Sequence, residues 1–379
     1  MTSNYEFYKI RDYDRSIYER FYQNRAYMKL RDEIKTIIVY SAFPGLGDLI
    51  LLSPFFKTLR NAFPEAKLSF LGLLDPSLKT LFGAIPDIDE YLPYSPIYGF
   101  HGTLSWYHLY KLYRNKRFDL VIDTQRQFVP SLMATRILKA RYRVGYTSRC
   151  LFSNWKFSEP NRDKIHILAQ LMMLLRALGI EDCSYKPRIN ISKKYPTVID
   201  EYLANHKSDE NLIGIIPGAG NREKCWPANF FAEVGNYLAK EFKSKILLFG
   251  GGGEEDILSN VADLMKETPI IPILENRLFL DDLMYSAALM RKCSFIIGND
   301  CGGTHLATAV GTPVIVIYGP TQPTKFGPLG EKNIVINHKL SCSPCKKGHC
   351  PIDRRCLKEM KPKEAIEAAE FLVDAVADM

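Results

Sequence analysis

Four glycine-rich segments of the sequence carry charged side chains of the kinds that bind anions or transfer protons. They are GLGDLILLSPF at 45–55, PGAGNREKCWP at 217–227, LFGGGGEED at 248–256 and NDCGGTHLATAVGTPVIVIYGPT at 299–321. Each lies where a run rich in Val, Ile or Leu gives way to a segment of helical periodicity, which predicts a turn from strand to helix. In open parallel sheets, ligands bind at such turns, outside the carboxyl ends of the strands.

Asp48 lies in the first turn of the helix predicted to follow the first of these segments. It would either cap backbone amides and complement the helix dipole or act as a general base that accepts the proton of an attacking hydroxyl. Gly45 and Gly47 permit a tight turn, but Ile50 replaces the third glycine of the G-x-G-x-x-G fingerprint. The segment therefore disfavours a dinucleotide-dependent dehydrogenase.

The second and third segments each combine glycines with one charged residue. Around Gly218, backbone amides could hold a diphosphate, with Lys224 supplying a mobile positive charge; the alternative is a surface loop with a solvated lysine. The four consecutive glycines before Glu254 suggest that a ligand approaches the backbone closely. Glu254 would then accept hydrogen bonds from sugar or ribose hydroxyls, or else only supply negative charge at a helix start.

The fourth segment is the most informative, because an acid, two glycines, a hydroxyl and an imidazole follow one strand. These residues are Asp300, Gly302, Gly303, Thr304 and His305. A helix start bearing glycines and a hydroxyl suits a phosphate, and an adjacent acid can hold sugar hydroxyls. The alternative is structural, with Asp300 capping the helix and His305 packed beneath the sheet.

Apolar runs alternate with helical segments along the chain, which is typical of parallel sheets with crossover helices. We predict an α/β protein with two doubly wound domains, over residues 34–185 and 186–361, between an N-terminal extension over residues 1–33 and a closing helix over residues 362–379. The boundary is placed in the polar stretch 181–196. Among single elements, a strand is predicted over 270–272 and one helix over 280–290.

Composition limits the class of protein. Of the 379 residues, 46% are apolar and 24% charged, which is ordinary for a globular chain. The N-terminus carries charges every few residues, and no apolar stretch reaches the ~20 residues that a membrane-spanning helix needs. Nine cysteines, an odd number, favour reduced thiols over a disulfide framework. We expect a cytoplasmic protein.

Positive charge is concentrated between residues 101 and 150, which contain ten basic and two acidic residues, an excess equal to the net charge of +8 of the whole chain. This region is either a solvated basic surface or a surface that attracts anionic lipid and an acidic acceptor. No nucleic-acid-binding module accompanies the charge, so nucleic acid is not the expected partner.

In their order and intervals, the four segments resemble glycosyltransferase family 9, the heptosyltransferases of lipopolysaccharide core assembly, over residues 34–375. The resemblance implies a GT-B fold, two Rossmann-like domains with a cleft between them, the first binding the acceptor and the second the nucleotide-sugar. It implies an inverting transfer of heptose from ADP-heptose to an anionic glycolipid acceptor of the lipid A-Kdo type, without cofactor or metal, in peripheral contact with the inner membrane. Alternatives are another nucleotide-sugar as donor, or a non-catalytic nucleotide-sugar-binding protein.

The resemblance also carries residue roles, each at a matching position of this sequence. It places the catalytic aspartate at Asp48, the phosphate-binding lysine at Lys224 and a donor-contacting acid at Glu254. The late D-x-G motif falls on Asp300 to Gly302, and His305 also matches. The chain departs from the family where Ala219 and Gly220 replace frequent threonines and Cys301 replaces a frequent hydroxyl, which bears on the identity of the donor.

A cysteine-rich tail, CSPCKKGHCPIDRRC at 342–356, contains Cys342, Cys345, Cys350 and Cys356. The spacing is compatible with a tetrahedral structural metal but lacks the usual second C-x₂-C. A metal, reduced thiols and a local disulfide all remain open at this point.

Overall fold

The computed structural model describes residues 32–41, 45–73, 78–94, 107, 109–124, 136–146, 155–157, 165–206, 211–345 and 348–377. These residues divide into two compact units, and the division falls between Tyr185 and Lys186. Residues 1–31, most of the expected N-terminal extension, lie outside the described residues. Within the described part, no helix is both long and apolar enough to cross a membrane.

The N-terminal unit is built on a six-stranded parallel sheet with the order β3-β2-β1-β4-β5-β6. Its strands are β1 (Thr36–Ser41), β2 (Lys67–Leu73), β3 (Glu90–Tyr94), β4 (Arg117–Asp123), β5 (Lys139–Tyr146) and β6 (Trp155–Phe157). Its helices include α1 (Leu46–Ala62), α2 (Lys79–Ala84) and α3 (Ile167–Ala177), and residues 107 and 109–113 are also helical.

The strand order of this unit places a ligand-binding position between β1 and β4. The chain leaves β1 towards β2 and β3 on one side and returns to the other side at β4, which is the 3-2-1-4-5-6 order of Rossmann folds. Ligands bind where that order reverses, beyond the carboxyl ends of the strands. Helix α1, which begins at Leu46 directly after β1, therefore starts at the switch point.

The C-terminal unit contains a five-stranded parallel sheet with the order β11-β10-β9-β7-β8. Its strands are β7 (Asn211–Ile216), β8 (Ser244–Leu248), β9 (Phe295–Asn299), β10 (Val314–Ile317) and β11 (Ile334–Ile336). Its helices are α4 (Lys194–Asn205), α5 (Ala228–Glu241), α6 (Glu255–Leu264), α7 (Pro272–Glu275), α8 (Leu278–Asp281), α9 (Leu283–Met290), α10 (Gly302–Ala309), α11 (Pro323–Phe326), α12 (Arg355–Lys358) and α13 (Pro362–Ala377).

In this second sheet the order reverses between β7 and β9. The chain passes from β7 to β8 on one side and then crosses to β9 on the other, which corresponds to the 2-1-3-4-5 order of the other common doubly wound fold. The strands are almost wholly buried; Ile213, Ile215, Ile296 and Ile297 are each 0% exposed. Helices that cover both faces of a parallel sheet explain why its strands are continuous apolar runs. The prediction of two doubly wound α/β sheets is confirmed.

Two single-element predictions were wrong. The strand expected over 270–272 is only one bridge between Leu247 and Ile270, because Pro272 has no amide hydrogen to donate and instead begins α7. The helix expected over 280–290 is two helices, since the Asp282 side chain accepts a hydrogen bond from Met284 N at 3.0 Å and caps the start of α9.

Candidate active site

The turn after β7 presents Lys224 on a short 3₁₀ segment, Arg222–Lys224. Asn221 starts this segment by accepting a hydrogen bond from Glu223 N at 2.9 Å. The far end of the turn is anchored by Trp226, whose backbone amide donates to Asn299 Oδ1 at 2.9 Å and whose indole nitrogen donates to Leu357 O and Met360 O. Lys224 therefore stands on a turn held at both ends.

Lys224 and Asp300 form an ion pair across the switch point of the C-terminal sheet. Lys224 Nζ lies 2.8 Å from Asp300 Oδ2, and Thr321 Oγ1 donates to the same oxygen at 2.6 Å. The Asp300 side chain is 6% exposed and that of Lys224 is 29% exposed. The carboxylate is thus buried with two donors, while the lysine side chain is partly accessible to solvent, and an ammonium group can bind an anion by charge-assisted hydrogen bonds.

Asn299, the last residue of β9, links the end of that strand to the turn after β7 by hydrogen bonds. It is 0% exposed, accepts from the Trp226 amide and donates through Nδ2 to Pro217 O at 2.8 Å. One buried amide side chain thereby fixes both ends of the loop that carries Lys224 to the end of β9. Buried polar groups that are fully hydrogen-bonded in this way rigidify a site.

Helix α10 begins at Gly302, after Asp300 and the N-cap residue Cys301, and has Gly302 and Gly303 in its first turn. A Cβ added at Gly303 would lie 3.1 Å from Ile216 Cδ1, so the glycine permits close packing of the helix start against the end of β7. The helix starts at the switch point, where its amide groups and dipole favour an anion.

Thr304 and His305 are placed inward. Thr304 is 1% exposed, and its hydroxyl donates to Cys301 O at 2.8 Å and Asn299 O at 3.2 Å. That hydroxyl therefore serves the backbone of the turn, and a phosphate would meet the helix start through its amides. His305 is 4% exposed, and its Nδ1 is buried with no hydrogen-bond partner in the described part of the chain.

Burial lowers the pKa of His305 to about 4, an effect that Asp300 opposes and Lys224 reinforces. Removing an imidazolium from water is costly, so the neutral ring is the form favoured in the folded protein at neutral pH. His305 thus adds no formal charge beside the ion pair.

Glu254 lies directly against the turn that begins with Gly218. Its Oε2 accepts a hydrogen bond from Gly251 N at 2.8 Å, and a Cβ built on Gly218 would stand 2.3 Å from its Oε1. Only glycine fits at position 218 with the carboxylate in this place. Gly253, with φ of +87°, adopts the left-handed conformation that turns the chain into α6.

The structure therefore brings the predicted residues of the C-terminal unit together around the ends of β7, β8 and β9. Asp48 belongs to the N-terminal unit, where it occupies the first turn of α1 and is half-buried. A Cβ built on Gly45 would lie 3.1 Å from Asp48 Oδ2, so the carboxylate is folded back towards the start of its own helix. That position supports helix formation and also sets the group at the switch point of the first sheet.

Thr321 and Asn299 belong to the site but were not among the residues predicted for it. Asn299 ends β9 and Thr321 lies in the turn after β10, and these positions at the carboxyl ends of the strands are the signal that could have identified them. Their side chains bind charged or backbone groups of the site rather than solvent.

The four tail cysteines line one cavity of about 270 Å³, together with Glu223, Pro320, Pro351, Ile352, Arg354 and Arg355. All four are free thiols, and among the described residues no group of three or more His, Cys, Asp or Glu side chains is arranged to hold a metal ion. Burial, helped by the charges of the other three thiols, raises the pKa of Cys356 to about 11. The tail contacts the candidate site through Cys350 N, which donates to Glu223 Oε2 at 3.2 Å.

Comparison with known proteins gives a consistent result. The sequence profile of glycosyltransferase family 9 (heptosyltransferase) matches residues 106–355. A lipooligosaccharide heptosyltransferase 2 from Campylobacter jejuni is 26% identical over 335 residues, which is 86% of this chain and 95% of the relative. A family 9 glycosyl transferase from Veillonella parvula has a solved structure that matches with a TM-score of 0.73 at 26% identity, covering 89% of this chain and 97% of that one.

The fold is also that of the E. coli ADP-heptose lps heptosyltransferase II, whose solved structure matches with a TM-score of 0.69 at 18% identity over 91% of this chain and 100% of that one. The profile match spans most of the chain and contains Lys224, Glu254 and Asp300. This chain therefore belongs to glycosyltransferase family 9, the heptosyltransferase family.

Proposed function

We propose that this protein is an inverting heptosyltransferase that moves heptose from ADP-heptose to a lipopolysaccharide core acceptor of the lipid A-Kdo type. Family membership supports glycosyl transfer, and the names of the relatives support heptose and a lipopolysaccharide or lipooligosaccharide acceptor. The single observation that carries the proposal is the Lys224–Asp300 pair at the β7–β9 switch point, because it places a partly accessible lysine beside a helix start, and both features favour binding of a diphosphate.

The C-terminal unit binds the donor in this proposal. Lys224 and the backbone amides at Gly303 contact the diphosphate, and Gly218 contributes its backbone to the donor site while leaving room for the Glu254 carboxylate beside it. Glu254 accepts hydrogen bonds from ribose or sugar hydroxyls. Asp300 keeps the ammonium of Lys224 in place. His305 is buried and neutral, so it adds no charge that would alter the attraction between this ammonium and the diphosphate.

Asp48 is the general base. Its carboxylate takes the proton of the acceptor hydroxyl while the hydroxyl oxygen forms a bond to the anomeric carbon, on the face opposite the diphosphate. The bond between the anomeric carbon and the diphosphate oxygen breaks, the carbon passes through an oxocarbenium-like state, and ADP leaves with the electron pair. Lys224 and the start of α10 stabilise the charge that develops on ADP, so the reaction needs no metal ion.

The acceptor is an anionic glycolipid, and the enzyme meets it as a cytoplasmic protein at the cytoplasmic face of the inner membrane. The excess of basic residues between positions 101 and 150 supports this location, since anionic lipid attracts cations near its surface. Nucleic acid has no place in this function.

The test has two steps. A thermal-shift series with ADP-, UDP-, GDP- and CMP-sugars identifies the donor, because a ligand that binds only the folded state raises Tm by mass action. Mass spectrometry of a purified core acceptor after incubation with ADP-heptose, with and without EDTA, then measures transfer. We expect ADP-heptose to give the largest Tm shift and the acceptor to gain one heptose equally with EDTA. If another nucleotide-sugar gave a larger Tm shift and was transferred, that sugar would be the donor in place of ADP-heptose. Loss of transfer in EDTA would refute metal independence. Donor binding without transfer would indicate a non-catalytic binding protein.

A further inference from the structure

The helical segment that leads into β4 exposes two tyrosines. Tyr107 is 54% exposed and Tyr110 is 47% exposed. The same segment is fixed to the N-terminal unit by Leu109 and Tyr113, which are 2% and 4% exposed and pack in a core cluster with residues of β1, β2 and β4. Because the buried side is held by this packing, the outward direction of the tyrosines is a feature of the fold.

The outward side of the segment also carries two cations at helical spacing. Tyr107, Tyr110, Lys111 and Arg114 occupy positions i, i+3, i+4 and i+7, so they share one face of the helical segment and its final turn. Lys111 Nζ lies 5.5 Å from the centre of the Tyr107 ring, which places ring and ammonium side by side. We call these four residues the tyrosine–cation face.

Further positive charge continues from this face to the amino ends of two strands. Lys116 and Arg117 are exposed at the start of β4, and Lys139 stands opposite Arg117 in the register of β4 and β5. Asp119, the acid nearest in sequence, is directed inward, where its Oδ2 accepts from Lys35 N, Thr36 N and Thr36 Oγ1 at 2.8–2.9 Å. Glu90 lies near Lys116 but pairs with Lys67 at 2.6 Å, so the local surface keeps an excess of positive charge.

Two other arginines in the basic region contact the protein itself. Arg141 pairs with Glu33 at 2.8 Å, and Arg143 is half-buried, with Nη2 donating to Leu138 O at 3.2 Å. These contacts favour the tyrosine–cation face over the strand β5 arginines as the part of the region that meets a partner.

We propose that the tyrosine–cation face docks the protein on an anionic lipid bilayer. Tyrosine rings are enriched at the level of lipid headgroups, where the ring is apolar and the hydroxyl stays wet. Lysine and arginine on the same face are attracted by anionic headgroups. The inference rests on the proposed function, since a lipid-anchored acceptor gives the enzyme a bilayer to dock on.

The experiment separates the electrostatic from the interfacial part of binding. Co-sedimentation is measured with vesicles of phosphatidylcholine alone and with added phosphatidylglycerol, at about 0.1 M and about 0.5 M salt. The variants are Lys111→Gln/Arg114→Gln and Tyr107→Ser/Tyr110→Ser. Lys266→Gln/Lys358→Gln, which removes the same two charges from exposed positions of the C-terminal unit, is the matched control. Transfer to a water-soluble acceptor fragment is measured in parallel.

We expect the protein to bind anionic vesicles and to bind less at high salt. Loss of the two cations should weaken that binding at least about tenfold. Loss of the two tyrosines should remove most of the binding that survives at high salt, and the control variant should bind as the unchanged protein does. A Tyr110→Trp variant should add a fluorescence component that shifts to shorter wavelength with anionic vesicles, which a folding defect would not produce.

Equal binding by the control and both face variants would overturn the proposal, as would binding to neutral vesicles alone. Self-association that the face variants abolish, without vesicle binding, would assign the face to a second copy of the chain instead. If the protein did not bind vesicles but still transferred heptose to the soluble fragment, the docking surface would be refuted and the proposed function would stand. Absence of transfer by every variant, with vesicle binding as expected, would refute the function and leave the docking surface.

Discussion

Lys224 Nζ lies 2.8 Å from Asp300 Oδ2, although the two residues are 76 positions apart and follow different strands. The pair forms because β7 and β9 are neighbours in the sheet and their carboxyl ends meet at its switch point. The Asp300 side chain is 6% exposed and the Lys224 side chain is 29% exposed, so the lysine is the partner in contact with solvent. This difference in exposure is expected of an anion-binding site, whereas an ion pair with a purely structural role does not need an accessible cation.

Removal of the ammonium should weaken donor binding. For Lys224→Ala we expect ADP to bind about 10- to 100-fold more weakly, because a charge-assisted contact worth ~1.5–3 kcal/mol is lost. Isothermal titration calorimetry with ADP measures the change.

Arg222→Ala is the control in the same turn. Arg222 pairs with Asp256 at 2.7 and 2.9 Å, but both side chains are more than half exposed, so its loss should change ADP affinity less than about threefold. Equal effects of the two substitutions would remove the special role of Lys224.

Thr321 should act as a positioning residue through Asp300. Thr321→Val leaves the buried carboxylate with one donor fewer, which should lower the free energy of unfolding by about 1.5–3 kcal/mol. It should also weaken ADP binding severalfold, since Asp300 then holds Lys224 less firmly. Urea unfolding and ADP titration measure the two effects. Thr321→Ser keeps the hydroxyl and should restore both; a serine variant as impaired as the valine variant would show that shape, and not the hydrogen bond, is what matters.

The contact between Gly218 and Glu254 should make position 218 intolerant of even one methyl group. In Gly218→Ala the new Cβ would meet Glu254 Oε1 at 2.3 Å, so the carboxylate or the turn must move. Because Glu254 is a flexible side chain, its displacement costs the fold little but moves its carboxylate out of the donor-contacting position, so we expect donor affinity to fall by about tenfold. Gly220→Ala is the matched control, since nothing lies within 4 Å of its added Cβ. Comparable losses in both variants would refute the steric explanation.

His305 should make the folded state less stable in acid. Its pKa of about 4 in the folded protein lies below the ~6.5 of an exposed imidazole, so between these values only the unfolded chain binds the proton. The unfolded state then binds more protons, and the free energy of unfolding falls as the pH decreases from about 6.5 towards 4.

The contribution of this residue should be about 2 kcal/mol between pH 7.5 and pH 5. Urea unfolding at both pH values, for the unchanged protein and for His305→Phe, measures it as the difference between their pH dependences. Phenylalanine fills the ring volume without titrating. Identical pH dependence of the two proteins would show that His305 does not control acid stability.

The sheets could be predicted from the sequence because their strands are continuous apolar runs and the intervening helices are amphipathic. The predictions failed where one residue outweighs the pattern, as at Pro272 and Asp282. Helix α4 begins at Lys194, inside the polar stretch in which the domain boundary was placed. No helix was predicted there, because polar and charged residues outnumber the buried positions, although those positions have helical spacing.

Within the candidate site, the motifs identified Lys224, Glu254 and Asp300 but not how they interact. The Lys224–Asp300 pair depends on which strands are neighbours, and strand order cannot be read from a single sequence. Thr304 shows the same limit, since its position in a helix start predicts a phosphate-binding hydroxyl while its short-range geometry directs that hydroxyl to Cys301 O. The catalytic role of Asp48 and the donor-binding roles of the other residues stay predictions.

The most direct test of the account is a paired measurement on Asp48→Asn: the rate of a single turnover of heptose transfer from ADP-heptose, and the Kd for ADP-heptose. Asparagine keeps the size of the side chain but accepts no proton at neutral pH, so the chemical step should slow by at least about 100-fold. The Kd should stay within about threefold, because donor binding is assigned to the other unit. A rate within about tenfold of the unchanged protein, at equal Kd, would return Asp48 to a purely structural role at the start of α1 and contradict the proposed mechanism.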